Sequence, residues 1–291
     1  MNAATSDNIE SIGRRREHVP IGELLVNTGK LNELDIARVI AVQRQKKLRF
    51  GEAAQKMGLL RREDVEHALA QQFDYPYVRQ SGSVLSPLLI CACEPFGAKA
   101  EAIRSLRGQL ALRWFADHRK TLVVAAPRAG GGSSVVAANL AIAFAQLGER
   151  TLLIDANLRR PAHHRLFGLG AREGLSSLLA GRTNFKDLLR SVEPFSTLAV
   201  LCAGASPPNP HELLSTVRFS YLIETAPAAF DIVIVDAPPL LECSDGQVIA
   251  ARAGGCLLVA RRHRTSLADV EDAKLQLEPT GAAIVGAVLN D

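Results

Sequence analysis

Aromatic residues are few in this 291-residue chain: it has three tyrosines, Tyr75, Tyr77 and Tyr221, and one tryptophan. No apolar run reaches the roughly 18 residues needed to span a bilayer, and residues 1–20 hold no apolar core of signal-peptide length. A cytoplasmic protein is therefore expected. Charge of one sign is also missing, since 34 basic residues face 30 acidic ones for a net +4. That balance gives no basic stripe and argues against a nucleic-acid binder. The five cysteines are odd in number and scattered. They suit reduced, buried thiols rather than a disulfide framework. Cys91 and Cys93 lack the second pair or histidine cluster of a zinc site, and SVLSPLLICACEPF reads as a buried, strand-like run.

What is present is ordinary globular composition, 47% hydrophobic and 22% charged, with length for about two domains at roughly 150 residues each. The N-terminal part repeats itself. A shift of 29 residues sets Ile21 on Phe50, Gly22 on Gly51, Glu23 on Glu52, Gly29 on Gly58, Leu31 on Leu60 and Asp35 on Asp64. Each copy predicts a short helix ending at a glycine, then a second helix with an acidic first turn. Its apolar positions are Ile36, Val39 and Ile40 in one copy and Val65, Ala68 and Leu69 in the other. Four segments follow: a flexible tail over 1–18, a helical repeat domain over 19–78, a linker rich in Ser, Gly and Pro over 79–97, and an α/β domain over 98–291.

The last segment opens with a helix, KAEAIRSLRGQLALRWF, which sets Glu101, Arg104 and Arg107 along one side and Ile103, Leu106, Leu110 and Leu112 elsewhere. From Lys120, short apolar strands alternate with helices: TLVVAA, TLLID, TLAVLCA, DIVIVDA, GGCLLVAR and AAIVGAVLN. This pattern predicts a doubly wound, mostly parallel α/β sheet covered on both faces, with ligands outside the carboxyl ends of its strands. The first strand runs into Pro127-Arg128-Ala129-Gly130-Gly131-Gly132-Ser133-Ser134 and then a helix. Glycines that turn backbone N–H groups inward at a helix N-terminus form a phosphate cradle. In a standard GxxxxGK[ST] loop a lysine reaches the phosphates and the last hydroxyl ligates magnesium. Here Ser133 stands in place of the lysine and Ser134 keeps the hydroxyl. Two further strands end in carboxylates, Asp155 and Asp236.

The repeat resembles the N-terminal MshE-type domain of secretion and pilus-assembly ATPases, some of which bind cyclic di-GMP. The second copy keeps the arginine of that motif as Arg49-Phe50-Gly51, and the first has Pro20-Ile21-Gly22. The resemblance marks Arg49, Gly22 and Gly51 as candidate cyclic di-GMP contacts, beside a plain reading as a protein-docking module. The remainder, from about Lys99, resembles the bacterial tyrosine kinases of capsule and exopolysaccharide synthesis, relatives of the MinD/ParA P-loop ATPases. EAIRSLR, AANLA, LLIDANLRRP, AGASPPNPHELL and IVIVDAPPLLECSDG carry the likeness. It implies ATP and magnesium as cofactors, with Gly130, Gly131, Gly132, Ser133 and Ser134 around the phosphates and Ser134, Asp155 and Asp236 arranging the metal. It further implies Asp155 as a proton acceptor, Asn290 near the adenine, and self-association through Glu101, Arg104 and Arg107. Arg128 stands where MinD relatives carry a signature lysine. The family works beside a membrane chain-length determinant, so a protein peripheral to the inner membrane is expected.

Three departures bear on activity: Ser133 for lysine, Asn157 for the second acid of a DxD pattern, and a chain that stops at Asp291 with no tyrosine-rich tail. Three readings follow. The first is a family member that regulates polysaccharide chain length and export by docking and oligomerising, with phosphotransfer weak or lost. The others are an active tyrosine autokinase using Arg128 and one of the three tyrosines, and a cyclic di-GMP sensor.

Overall fold

The computed structural model describes residues 19–78, 83–170 and 173–291. The expected tail over 1–18 lies outside them. The chain divides into two compact units, Met1–Tyr75 and Pro76–Asp291.

The first unit realises the repeat. Helices α1 (Ile21–Asn27) and α2 (Glu33–Lys46) are followed 29 residues on by α3 (Phe50–Lys56) and α4 (Arg62–Gln72). Gly29 and Gly58 follow α1 and α3 with φ of 67° and 70°, a left-handed turn that a side chain would strain. Asp35 and Asp64 each accept a hydrogen bond from the backbone N–H three residues earlier, closing the first turns of α2 and α4. The core is built of equivalent pairs, Leu25 with Ala54, Leu31 with Leu60 and Val39 with Ala68. Leu69 is a correction: it is exposed, and Ala70 is buried beside it in sequence. Gly51 is buried so close to Val65 that a Cβ would meet it at 2.5 Å, so this glycine has a packing reason of its own.

The second unit begins before the expected domain start. Residues 83–97 were expected as linker, yet Leu85, Leu89, Cys91 and Ala92 are buried in its core. The strand-like reading of this run is also corrected, because Ile90–Cys93 is a one-turn helix, α5. Loop composition was misleading here because side chains elsewhere satisfy the backbone. The buried Asn139 carboxamide accepts from Cys91 N at 2.9 Å and donates to Leu88 O, and Gln146 donates to Cys91 O and Pro76 O.

Helix α6 (Ala98–Arg113) packs through Ile103, Leu106 and Leu110, while Leu112, expected on that face, is 76% exposed. The sheet follows: β1 (Thr121–Ala125), helix α7 (Ser133–Ala145), β2 (Thr151–Asp155), short helices α8 (His163–Leu166), α9 (Leu175–Leu179) and α10 (Phe185–Leu188), β3 (Leu189–Val192), β4 (Phe195–Leu201), α11 (Pro210–Leu214), α12 (Val217–Ala229), β5 (Ile232–Asp236), α13 (Asp245–Ala253), β6 (Gly255–Arg261), α14 (Leu267–Leu277) and β7 (Ala283–Asn290). Strand order is β3-β4-β2-β5-β1-β6-β7, parallel throughout except β3, which pairs antiparallel with β4 at one edge. All six expected strands form, and β3 is the addition.

Strands β1, β2 and β5 are buried at every position, as a sheet covered on both faces requires. Three thiols share that interior. Burial pushes Cys91 and Cys256 up to about 12 and Cys202 up to about 11, so they stay protonated and inert.

Candidate functional site

The site residues collect at the carboxyl ends of β1, β2, β5 and β6, where the sequence pattern placed them. The turn after β1 is shaped by Gly130 and Gly132, with φ of 83° and 87°. Gly132 is the N-cap of α7 and no side chain caps that turn. The first N–H groups of a thirteen-residue helix, and its dipole, thus face the loop. Ser133 and Ser134 are the first two residues of α7.

Asn290 closes over this loop. Its Nδ2 donates to Gly131 O at 3.3 Å, and a Cβ on Gly132 would collide with its amide. The residue expected near an adenine packs on the glycine loop, against Gly131 and Gly132. Arg128, expected as the substitute cation, is turned away: its Nε donates to Asp269 Oδ1 at 2.6 Å, at the N-terminus of α14. The Asp269 carboxyl is held below its ordinary range by Arg128 and by the Ser266 hydroxyl. Both partners of this pair are accessible to solvent, which screens it, so its release costs little.

Two other guanidinium groups do meet the loop. Arg261 Nη1 donates to Gly130 O at 3.3 Å, and Arg264 Nη1 stands 3.4 Å from where a Gly130 Cβ would lie. Sequence reasoning missed both, although the run Arg261-Arg262-His263-Arg264 directly after an apolar strand was a signal to follow. Glu242 was missed as well. It accepts from Ala129 N at 2.6 Å and pairs with Arg160 at 3.4 Å, setting a carboxylate at the loop's entrance.

The two strand-end aspartates are brought together by register. Asp155 on β2 lies opposite Asp236 on β5, so both side chains leave the same face of adjacent parallel strands. Each is fully buried. Asp155 Oδ2 accepts from Ala162 N at 3.0 Å and His163 N at 3.1 Å, and Asp236 Oδ2 meets His163 Nε2 at 3.0 Å. His163 was not expected here. Nothing periodic marks it in the run LRRPAHHRLF, and it reaches Asp236 only through the fold, 73 residues away.

Burial raises the Asp155 carboxyl above its ordinary range, with Asp236 adding to the rise and His163 opposing it. Burial disfavours the charged imidazole, but the two carboxylates outweigh it and raise the His163 pKa. Asp155 Oδ1, Asp236 Oδ1 and His163 Nδ1 are buried without a hydrogen-bond partner. Asn157, in the position of a second acid, turns its Oδ1 to Arg160 N at 3.0 Å.

Beside this pair a second ion cluster joins three of the sequence motifs. Asp245, 1% exposed, accepts from Arg159 Nε at 2.7 Å and faces His211 Nδ1 at 3.2 Å. LLIDANLRRP, PNPHELL and ECSDG thereby meet at one point. Farther off, Arg104 pairs with Glu101 on its own helix, while Arg107 Nη1 donates to Ala143 O in the last turn of α7 at 2.7 Å. In the first unit, Gly22 has Ile36 at contact distance where a Cβ would lie, and Glu52 accepts from the Arg49 backbone N–H at 2.9 Å.

No family model matches the chain. Among characterised proteins it is 34% identical over 212 residues to the tyrosine-protein kinase YwqD of Bacillus subtilis, a match covering 73% of this chain and 89% of YwqD. The tyrosine-protein kinase etk of Escherichia coli is 36% identical over 67% of this chain, which spans 27% of that relative's length. The solved kinase domain of E. coli ETK superposes with a TM-score of 0.69 at 32% identity, over 75% of this chain and 85% of the domain. MinD of Pyrococcus horikoshii, solved with Mg-ADP, shares the fold at a TM-score of 0.52 and 21% identity, over 58% of this chain and 69% of MinD.

Proposed function

This chain belongs to the bacterial tyrosine-protein kinase family, and from that premise we propose that it is a regulatory member acting in capsule or exopolysaccharide production. In this reading it binds Mg-ATP at the 130–134 loop, works beside a membrane chain-length determinant at the inner membrane, and transfers phosphate weakly or not at all. The observation that supports it is a glycine-rich turn from strand to helix whose lysine position holds Ser133. Removing one preorganised donor of this kind costs about 10²–10³ in rate.

The remaining parts suit nucleotide binding. Gly130 to Gly132 present the loop, the uncapped first turn of α7 receives phosphate oxygens, and Arg261 and Arg264 supply positive charge beside Gly130. Magnesium fits the donor set on one physical ground: Asp155 and Asp236 each keep an unpartnered carboxylate oxygen, the hard ligand that ion takes, and Ser134 adds a hydroxyl. When bound, the ion would neutralise phosphate charge. Asp155, raised by burial, is suited to take a proton from a hydroxyl. Glu101, Arg104 and Arg107 would serve self-association after leaving their present intramolecular partners.

The competing reading, an active autokinase, has Tyr221 in its favour, 67% exposed on α12. Measuring Mg-ATP binding and phosphotyrosine in the unmodified protein and in Ser133→Lys separates the two. The regulatory reading expects nucleotide binding without phosphotyrosine in the former and a gain of at least tenfold in phosphotransfer in the latter. Robust autophosphorylation of the unmodified chain would overturn it.

A further inference from the structure

We infer that the Ala129 N–H and the Arg160 guanidinium form an anion subsite at the mouth of the glycine loop, held in this structure by the Glu242 carboxylate, which incoming phosphate must displace. Glu242 is then a resident competitor that sets the affinity of the loop. That the phosphate belongs to a nucleotide rests on the reading above; the competition itself does not.

The path of the chain after β5 brings the carboxylate to this place. Leu240 N donates to Ala126 O at 3.0 Å and Leu241 N to Pro127 O at 3.0 Å, so residues 240–242 run beside the first residues of the loop. The Ala129 amide, farther along the loop, meets a side chain, and Glu242 Oε1 accepts from it at 2.6 Å. Oε2 of the same carboxylate faces Arg160 Nη1 at 3.4 Å, on the segment after β2. One carboxylate therefore bridges the turns that follow β1, β2 and β5. A backbone amide and a guanidinium are donors that take a phosphate oxygen as well as a carboxylate oxygen.

The pair can open at little cost. The Arg160 side chain is 68% exposed and that of Glu242 33%, so water screens their attraction. Its neighbour Arg159 is by contrast fixed at 2.7 Å on the buried Asp245. Charge then gives the sign of the effect. Ser133 leaves the loop without its usual cation, and a carboxylate at the mouth repels each phosphate that approaches. Removing that carboxylate relieves the repulsion and frees Arg160 for the ligand. If Glu242 served only as a staple that shapes the turn, the sign would be opposite, because losing the contact would loosen the amides that phosphate needs.

The test is calorimetric titration of the full-length chain, unmodified and as Glu242→Gln, with Mg-ATP and with inorganic tripolyphosphate. Glutamine keeps an oxygen for the Ala129 amide and removes the charge. Both ligands should bind at least fivefold tighter to Glu242→Gln and at least threefold weaker to Arg160→Ala. Unchanged or weaker binding by Glu242→Gln would overturn the competition, and Arg160→Ala binding as tightly as the unmodified chain would overturn the subsite. If Glu242→Gln does not fold, Glu242→Ala is held to the same sign. Tripolyphosphate binding that tightens in the variant, while Mg-ATP binds neither protein, would uphold the competition and sink the nucleotide reading. No binding of either ligand to any of these proteins would sink both.

Discussion

At the scale of single residues, the 130–134 loop carries Ser133 where a standard phosphate loop has lysine. Ser133 cannot supply charge and Arg128 is occupied by Asp269, yet Arg261 and Arg264 stand at Gly130. If these two carry the phosphate contact, the double variant Arg261→Ala/Arg264→Ala should weaken ATP binding about tenfold to a hundredfold, while Arg128→Ala changes it less than threefold, as measured by calorimetry. A charge-assisted hydrogen bond worth about 1.5–3 kcal/mol corresponds to that range. Equal losses in both variants would return the role to Arg128. The glycines, Ser134, Asp155 and Asp236 were legible as a group because they end an apolar strand or stand in the turn and first helical residues that follow one. His163, Arg261, Arg264 and Glu242 were not, because their parts depend on which segments meet, and sequence spacing does not encode that.

At the scale of elements, the repeat was readable from its 29-residue period, and β1, β2 and β5 because burial on both faces leaves an uninterrupted apolar run. Strand β3 was not: LRSV is short, carries polar residues and sits at an edge where only one side is paired. The segment around α5 was hidden for a different reason. Its glycines, serines and prolines look like a linker until Asn139 and Gln146 are seen supplying its hydrogen bonds. The starts of β2 and β5 are tied by Arg150, whose guanidinium meets Asp231 at 2.7 and 2.9 Å. That bond depresses the Asp231 carboxyl to about 2, below its ordinary value near 3.8. A depressed carboxylate stabilises the fold above its unfolded pKa and loses that contribution as pH falls through the folded one. Because Arg150 is more than half exposed, the solvent-screened contribution is at most about 1 kcal/mol. Asp231→Asn should therefore cost about that much or less in urea unfolding at pH 7, with the deficit shrinking between pH 4 and 2. A deficit undiminished at pH 2 would contradict the assignment.

At the scale of the molecule, each unit owns its core. Leu25, Leu31, Val39, Leu60 and Val65 close one, and the covered sheet closes the other. No helix among the described residues is long and apolar enough to cross a membrane. Residues 19–78 produced alone are expected to unfold cooperatively, since each helix pair buries its apolar stripe on its repeat partner. Titrated with cyclic di-GMP, that fragment should show no saturable binding at micromolar ligand, in keeping with a docking module in which Gly51 serves packing against Val65. Saturable binding lost on Arg49→Ala would instead make the unit a sensor.

The pairing of β2 with β5 carries a further consequence. Side chains alternate faces along a strand, so a slip of one residue would send Asp155 and Asp236 to opposite sides of the sheet. The two carboxylates keep company only while the central ladder holds its alignment. The site is thus a built-in gauge of the sheet: any change that loosens this pairing, however distant, abolishes the cluster whole instead of weakening it by degrees.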